Sequence, residues 1–507
     1  MLFNSYIFIF VFAPLVIAVY FALNHFKLYK AGMAFLLGMS MWFYGYFNPW
    51  YLIVIISSIL VNYFLYRKIK ASRPKGDNRA GKPTDFRGDA KAESLRTKGS
   101  GKVFWLVGII WNVGLLVWFK YMDFFISNVN LLFGGNIKLL HIALPLGISF
   151  FTFQQISFIT DAYKGEVGEY GFLDYACFVA FFPQLIAGPI VTHDELVCQF
   201  SDTAKKRINV ENINRGLYLF AIGLAKKVIL ADTFADAATH GFAISGQLNT
   251  RTAIITMLSY TLQLYFDFSG YCDMATGIAK MLNIDLPANF NSPYKAVNIS
   301  DFWKRWHMTL TRFLTKYIYI PLGGSRKGKV RTLINVFVVF AISGFWHGAD
   351  WTFVIWGIMH GIMMIIYRLG RKIWDKIPKL ITWFFTFVFV NIAWVFFRAD
   401  SLSQAWNVVK ALFGFKFAAP DYVFYEVFRL VELRKVLSLA NIEARFPHAL
   451  IWIFMIVGLY FALIARNSTE KMKRFKPTVV RAIATVFLLA WSICSLSGLS
   501  EFLYFTF

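Results

Sequence analysis

Long apolar runs recur along the whole chain, and they constrain its fold more than any other feature of the sequence. The first, 2–23, has no basic segment before it and no small-residue cleavage site, so we interpret it as a retained membrane span. Further runs lie near 30–46, 50–66, 103–119, 139–160, 172–188, 252–282, 331–346, 351–367, 380–397, 449–465 and 482–499. Since a bilayer core of about 30 Å needs about 20 helical residues and excludes unpaired backbone, these runs predict an all-α polytopic membrane protein with about 11–13 membrane helices. The stretches 120–135 and 213–235 are less clear, and a re-entrant or interfacial position is open for both.

The composition supports a membrane protein and excludes other classes. Of the 507 residues, 58% are hydrophobic and only 16% are charged, and the mean hydropathy is +0.54. A soluble chain with so few charges could not cover its own surface. We therefore expect one integral membrane domain over 1–507. The four cysteines are scattered and no H-E-x-x-H pattern occurs, so no metal site is predicted.

The charged residues indicate the orientation of the chain in the membrane. Lys and Arg outnumber Asp and Glu by 52 to 28, a net charge of +24. In a membrane protein this excess is typical of cytoplasmic loops that face anionic lipids, so nucleic acid is not expected as a partner. The segment 67–102 has twelve basic and four acidic residues and is predicted to be a flexible cytoplasmic loop. Three spans precede it, and 368–379 and 466–481 are also basic, so we expect both termini outside the cytoplasm.

Two segments place polar residues and a histidine among apolar residues, which is typical of functional sites inside membranes. One is 289–307, which ends in a Trp-His pair, and the other is 343–351, which contains a second such pair. Because a histidine buried in an apolar wall stays neutral, it can take a proton from a hydroxyl group. We therefore predict His307 and His347 as catalytic candidates, and the loop charges place His307 nearer the cytoplasmic side. The remaining histidines are interpreted as packing residues: His25, His141, His193, His240, His360 and His448.

A series of short motifs spans nearly the whole chain. They are Leu-Pro-Leu-Gly-Ile-Ser-Phe at 144–150, Phe-Pro-Gln-Leu-Ile-Ala-Gly-Pro at 182–189, Gly-Leu-Ala-Lys-Lys-Val at 223–228, Gln-Leu-Tyr-Phe-Asp-Phe-Ser-Gly-Tyr-Cys-Asp at 263–273, the two histidine segments, and Trp-Val-Phe-Phe-Arg-Ala at 394–399. In kind and order these motifs resemble the membrane-bound O-acyltransferase (MBOAT) superfamily, and within it the branch of bacterial alginate and peptidoglycan O-acetyltransferases. The resemblance implies the fold of that family, with membrane helices accompanied by re-entrant or interfacial segments.

The resemblance also implies a reaction and its participants. It implies an enzyme of the bacterial inner membrane that moves acetyl from cytoplasmic acetyl-CoA towards an extracytoplasmic polysaccharide, which is alginate, another exopolysaccharide or peptidoglycan. Acetyl-CoA is then a donor substrate, and no permanently bound cofactor is expected. The histidine of the family's W-H-G segment, here His347, is implied to be catalytic, and His307 is the second family histidine. The implied partners are an extracytoplasmic SGNH/esterase-like O-acetyltransferase, the polysaccharide acceptor and membrane lipids.

The C-terminal stretch 500–507 contains the pattern F-x-Y-x-x-F. An aromatic end of this kind is typical of a membrane interface, which is one interpretation. The resemblance implies another, in which Tyr504 accepts the acyl group and relays it outward. Since phenol has a pKa near 10, forming phenolate at pH 7 costs about 4 kcal/mol, and a neutral His347 would remove the proton during attack.

Further residues near these motifs are predicted to bind the donor or to line the site. The basic, Gly-rich turn 321–329 would cradle the phosphates of coenzyme A, although such a stretch is more often a plain cytoplasmic turn. The predicted donor-binding residues are Arg326, Lys327, Lys304 and Arg305. The predicted site-lining residues are Trp346, Trp306, Asp267, Asn289 and Asp350, with helix packing as the alternative for Asp267. Lys226 and Lys227 are expected either to reach a lipid headgroup or to face a polar tunnel.

Two alternative functions are open at this point. One is the D-alanyl branch of the same superfamily, which is fed by an acidic carrier protein. The resemblance implies a shorter chain for that branch and a separate small protein that bears its tyrosine. The other alternative is a transporter or flippase for a sugar or lipid, which would have paired hydropathy repeats in its two halves. No such symmetry is evident in the sequence.

Overall fold

The regular structure of the chain is helical. The computed structural model describes residues 1–73, 100–428, 448–496 and 502–503, and every regular element in these ranges is a helix. This confirms the predicted all-α class. Most of the predicted basic loop, namely 74–99, lies outside the described residues.

The chain divides into two compact units. Unit 1 comprises Met1–Leu217 and Ala275–Pro287, and unit 2 comprises Tyr218–Met274 and Ala288–Phe507. The expectation that 1–507 forms one integral membrane domain stays a prediction.

Most helices of unit 1 follow the predicted apolar runs. The helices of this unit are α1 (Phe8–His25), α2 (Tyr29–Gly45), α3 (Trp50–Ala71), α4 (Ser100–Phe133), α5 (Ile148–Lys164), α6 (Phe172–Ala180) and α7 (His193–Ser201). The run 139–160 becomes helical only at Ile148, because Gly147 has a φ of +68° and a Cβ there would lie 2.8 Å from the carbonyl oxygen of Leu185. The stretch 120–135 is not separate, since α4 continues through it.

The helices of unit 2 are more varied in length. They are α8 (Val210–Ala225), which begins in unit 1, α9 (Asp232–Ala243), α10 (Thr250–Met281), α11 (Ile299–Trp303), α12 (Met308–Leu314), α13 (Lys329–His347), α14 (Trp351–Trp374), α15 (Lys379–Arg398), α16 (Leu402–Leu412), α17 (Tyr422–Val427), α18 (Ala449–Leu463), α19 (Ser468–Lys473) and α20 (Val479–Cys494). A π-helical turn, Lys226–Ala231, joins α8 directly to α9. The predicted stretch 213–235 is therefore one continuous helical path.

Six described helices are long and apolar enough to cross a membrane, namely α1, α3, α4, α13, α14 and α15. Two apolar helices, α18 and α20, are shorter. Large apolar side chains on the spans point outward, since Ile53, Phe64 and Phe385 are 58%, 56% and 56% exposed. Lipid-facing side chains are expected to behave in this way, and the chain is a multi-pass membrane protein.

Close packing of α13 against α14 sets the position of one predicted catalytic residue. A Cβ on Gly344 would lie 2.5 Å from the carbonyl oxygen of Phe353, and a Cβ on Gly357 would lie 2.5 Å from that of Phe340. Only glycine allows the two backbones to approach so closely. His347 is the last residue of α13, so this contact fixes it at the end of the helical hairpin.

Candidate active site

The first predicted catalytic residue, His347, lies in a wall of aromatic rings in unit 2. Its ring centroid lies 4.9 Å from that of Trp346, 5.1 Å from that of Trp356 and 5.2 Å from that of Phe397. The side chain is buried. The neighbouring Asp350 caps α14, since its Oδ1 accepts the N–H of Thr352 at 2.8 Å, and its role in lining the site stays a prediction. The surroundings of His347 are thus those of an imidazole between tryptophans, as predicted.

The second predicted catalytic residue, His307, is completely buried in a strained position between α11 and α12. Its backbone has φ 43° and ψ 52°, a left-handed conformation that non-glycine residues rarely adopt. Such strain is concentrated at functional sites, where surrounding contacts hold it. The ring meets the edge of Phe268 of α10 at a centroid distance of 4.8 Å. Burial lowers the pKa of His307 to about 3, so this ring is neutral, as the sequence predicts.

Asn289 fixes the tautomer of His307. The backbone N–H of Thr309 and its hydroxyl both donate to Oδ1 of Asn289, at 3.3 and 2.9 Å, so the atom at that position must be an oxygen. Nδ1 of His307 lies 3.2 Å from the same oxygen. Because an amide oxygen can only accept, Nδ1 carries the proton. The lone pair of the neutral ring is therefore on Nε2, which is the nitrogen that can act as a base.

The structure brings the two predicted histidines together. The ring centroids of His307 and His347 are 6.4 Å apart, and Trp346 lies 6.3 Å from His307. The loop charges placed His307 nearer the cytoplasmic side, but at this distance the two rings belong to one cluster. Two imidazoles and an indole so close together can bind one reacting group between them, and the neutral ring of His307 can accept a proton from it.

The other predicted aromatic residue, Trp306, packs within the aromatic core next to the histidine cluster. It is 1% exposed, and its ring contacts those of Phe290 and Trp394 at 5.0 Å and that of Phe302 at 5.7 Å. The ring of Trp346 contacts both histidines, whereas the contacts of Trp306 given above are with other aromatic rings of the core.

His360 is a residue whose place the sequence does not reveal. It is completely buried on α14, four residues after Trp356, and the two rings are 4.9 Å apart. Its Nδ1 accepts the indole N–H of Trp303 at 3.2 Å. Trp356 thus lies between His360 and His347. The spacing of four residues on an apolar helix was the only signal in the sequence for this contact.

Two ion pairs, one buried and one partly buried, join α10 to the π-helical turn before α9. Nζ of Lys227 lies 2.7 Å from Oδ1 of Asp267, with both side chains 3% exposed, and 2.9 Å from Asp232. Nζ of Lys226 lies 2.7 Å from Asp273. Both lysines pair with carboxylates of the same unit, and the expectation that they reach a headgroup or face a tunnel stays a prediction. Asp267 directly precedes Phe268, which contacts His307.

The predicted donor-binding residues lie in two places. Arg326 and Lys327 are exposed in the turn between the π-helical segment Thr315–Tyr319 and α13. Lys304 is exposed after α11, and Arg305 pairs with Asp301 one turn earlier, Nε to Oδ1, at 2.9 Å. Their role in donor binding stays a prediction. Tyr504 lies outside the described residues, although the two residues before it, Phe502 and Leu503, are described.

The fold and the site define a class of protein, namely a multi-pass helical membrane protein with two buried histidines among aromatic rings. The chain belongs to the membrane-bound O-acyltransferase family, MBOAT, which it matches over residues 157–402. It is an enzyme, an O-acyltransferase.

Several relatives are similar to this chain over most of their length. A peptidoglycan O-acetyltransferase of Helicobacter pylori is 45% identical, with 82% of this chain and 80% of that protein aligned. A probable alginate O-acetylase of Pseudomonas aeruginosa is 36% identical, with 82% and 75% aligned. A teichoic acid D-alanyltransferase of Bacillus subtilis is 30% identical, but only 46% of this chain and 60% of that protein are aligned.

Proposed function

We propose that the enzyme moves acetyl from cytoplasmic acetyl-CoA to the outside of the bacterial inner membrane, for O-acetylation of an envelope polysaccharide. In this proposal His347 is the general base and His307 assists it. Tyr504 carries the acetyl group, and an extracytoplasmic SGNH/esterase-like O-acetyltransferase delivers it to the polysaccharide. Both termini lie outside the cytoplasm.

The observation that supports this proposal most is the histidine pair. Its two rings are 6.4 Å apart, they are buried among tryptophans, and Asn289 holds the lone pair of His307 on Nε2. A low-polarity site strengthens electrostatic interactions with a reacting group and keeps water away from an ester intermediate. Both effects suit acyl transfer better than transport of a sugar or lipid.

The proposed reaction has two stages. The hydroxyl of Tyr504 attacks the thioester carbonyl carbon and passes its proton to His347. The C–S bond then breaks, the sulfur takes that proton, and coenzyme A leaves as the free thiol. In the second stage a hydroxyl group outside attacks the acetyl-tyrosine ester, and the phenol of Tyr504 is restored with its proton. Because an aryl ester is a better acyl donor than an alkyl ester, the relay conserves transfer potential.

Among the possible acceptors, peptidoglycan is the one we favour. The Helicobacter pylori relative, whose name specifies peptidoglycan, is 45% identical, against 36% for the Pseudomonas aeruginosa relative, whose name specifies alginate. D-alanyl transfer has weaker support, since the alignment with the teichoic acid enzyme covers less than half of this chain.

The test of the catalytic assignment is His347→Ala in membranes supplied with labelled acetyl-CoA. Loss of the general base should lower label transfer by about 10²–10⁴-fold while the protein still inserts. His25→Ala is the matched control, because His25 is an exposed histidine at the end of α1. Normal transfer by the His347 variant would remove the assignment.

The same assay separates the relay and the donor. Tyr504→Phe should stop transfer to the polysaccharide, and full activity would leave the C-terminus as an interfacial anchor only. Label should come from acetyl-CoA and not from a D-alanyl carrier protein. The opposite preference would favour the D-alanyl alternative.

A further inference from the structure

A buried ion pair holds the last described residues of the chain. The backbone N–H of Leu503 donates to Oδ2 of Asp267 at 2.9 Å, while Oδ1 of the same carboxylate accepts from Nζ of Lys227 at 2.7 Å. One carboxylate therefore joins α10, the π-helical turn and the C-terminal segment. Hydrogen bonds to a charged group are about twice as strong as neutral ones.

The side chain of Phe502 is held by the same group. It is 1% exposed, and its ring meets the edge of Tyr271 at a centroid distance of 4.8 Å. Nζ of Lys227 lies 4.7 Å from the centroid of the Phe502 ring, which is a cation–π contact. Two successive residues of the segment thus contact one lysine–aspartate pair, one through its side chain and the other through its backbone.

The neighbouring ion pair provides a comparison within the same helices. Lys226 and Asp273 are also 2.7 Å apart, and both contact the hydroxyl of Ser468 in α19. That pair joins three helical segments. In the Lys227–Asp267 pair, the second carboxylate oxygen accepts a hydrogen bond from the C-terminal segment instead.

A hydrogen bond to a backbone N–H defines which residue of a segment lies at a given place. A shift of the segment by one residue would remove Phe502 from Lys227 and Leu503 from Asp267 together. On the other side, the residue after Asp267 is Phe268, which contacts His307 at 4.8 Å. Adjacent residues of α10 thus contact the segment that precedes Tyr504 and one histidine of the candidate site.

We propose that the Lys227–Asp267 pair is a positioning clamp for the C-terminal segment, which sets its register so that Tyr504 is presented for acylation. The idea that the clamp serves acylation of Tyr504 rests on the proposed function. The holding of the segment itself does not. Lys227 and Asp267 are positioning residues in this proposal and take no part in the transfer of the acetyl group.

Thiol labelling tests whether the pair holds the segment. The reporter is Leu503→Cys, which keeps the backbone N–H, in a background with the exposed Cys198 and Cys494 replaced by serine. Asp267→Asn replaces one acceptor oxygen by an NH2 group and should raise the maleimide labelling rate by about tenfold or more. The control is Asp273→Asn, which breaks the neighbouring pair and should leave labelling unchanged. Equal labelling with and without Asp267→Asn would overturn the clamp.

A backbone variant tests the clamp without changing the ion pair. Leu503→Pro removes the N–H that Asp267 accepts, and Leu503→Ala at the same position keeps it. Single-turnover formation of acetyl-tyrosine should fall by about tenfold or more in the proline variant. In the alanine variant it should stay near the wild-type rate. Equal rates in the two variants would show that the backbone contact does not position the segment.

The two experiments also distinguish failure of the clamp from failure of the relay. If Tyr504→Phe is fully active, the relay is wrong whatever the labelling shows, and a positive labelling result then supports only the holding of the segment. If Tyr504→Phe is inactive but Asp267→Asn changes neither labelling nor acetyl-tyrosine formation, the relay stands and the clamp is wrong.

Discussion

Two completely buried histidines of unit 2, His307 and His360, differ in the group that faces Nδ1. In His307 that group is the amide oxygen of Asn289, at 3.2 Å. In His360 it is the indole N–H of Trp303, also at 3.2 Å. An oxygen requires a donor and an indole N–H requires an acceptor, so the proton is on Nδ1 in His307 and on Nε2 in His360.

The difference teaches that burial alone does not make a histidine a base. Both rings are completely buried and surrounded by aromatic side chains. The lone pair of His360 is already used by Trp303, whereas that of His307 is on the opposite nitrogen from its amide partner. We infer that Nε2 of His307 carries the basic lone pair and that His360 is a structural link between Trp303 and Trp356.

The largest effect on this comparison is expected from His307→Asn. Asparagine tolerates the left-handed backbone at this position, and its NH2 group can still donate to Asn289, but it has no basic nitrogen. Acyl transfer should fall by about 10²–10⁴-fold. Melting of the purified protein in detergent should change little. Substantial activity would show that the ring of His307 serves packing only.

A smaller effect is expected from Asn289→Ala, which removes the group that fixes the tautomer. The N–H of Thr309 and Nδ1–H of His307 lose their acceptor, which costs about 1–3 kcal/mol of stability. Transfer should fall by about 10–100-fold, by analogy with the groups that orient metal-binding histidines in metalloenzymes. If Asn289→Ala retains full activity, the tautomer of His307 does not matter for the reaction.

The companion variant Asn289→Asp gives this prediction a pH dependence. Burial lowers the pKa of His307 to about 3, so the wild-type ring stays neutral down to mildly acid pH. A carboxylate at 289 keeps the acceptor but favours the charged ring, which raises the pKa. Activity of the variant should then decrease as the pH falls through the raised value, because a protonated ring is no longer a base. The pH–rate profile of transfer measures this shift.

Much of the fold was predictable because hydropathy is a local property. The apolar runs identified the helices, and the charged loops suggested their orientation. The breaks depend on contacts that are distant in sequence. The helix within the apolar run 139–160 begins only after Gly147, which packs against Leu185, 38 positions later in the chain. A pattern of local hydropathy carries no trace of such a neighbour.

The candidate residues of the site could be named from the sequence, but their geometry could not, and their catalytic roles stay predictions. Trp-His pairs within apolar segments indicated His307 and His347, yet the count of loop charges separated two rings that are 6.4 Å apart. Loop charges indicate on which side of the membrane a segment emerges. They do not indicate the path of a short irregular stretch such as the one that carries His307. The same limit applies to two contacts of the site region, because Asn289 lies 18 residues from His307 and Lys227 lies 40 residues from Asp267.

The smallest effect is expected from His360→Phe, and it sharpens the comparison most. Phenylalanine fills the aromatic cluster but cannot accept the N–H of Trp303, whose unpaired donor costs about 1–3 kcal/mol. The melting temperature should therefore fall by a few degrees, while transfer per folded enzyme stays within about threefold of wild type. Trp303→Phe should cause a similar loss of stability, and the double variant should lose less than the sum, since both changes remove one hydrogen bond. A loss of transfer as large as that of His307→Asn would contradict the assignment by tautomer. It would mean that His360, whose lone pair accepts the N–H of Trp303, is as necessary for the chemistry as His307.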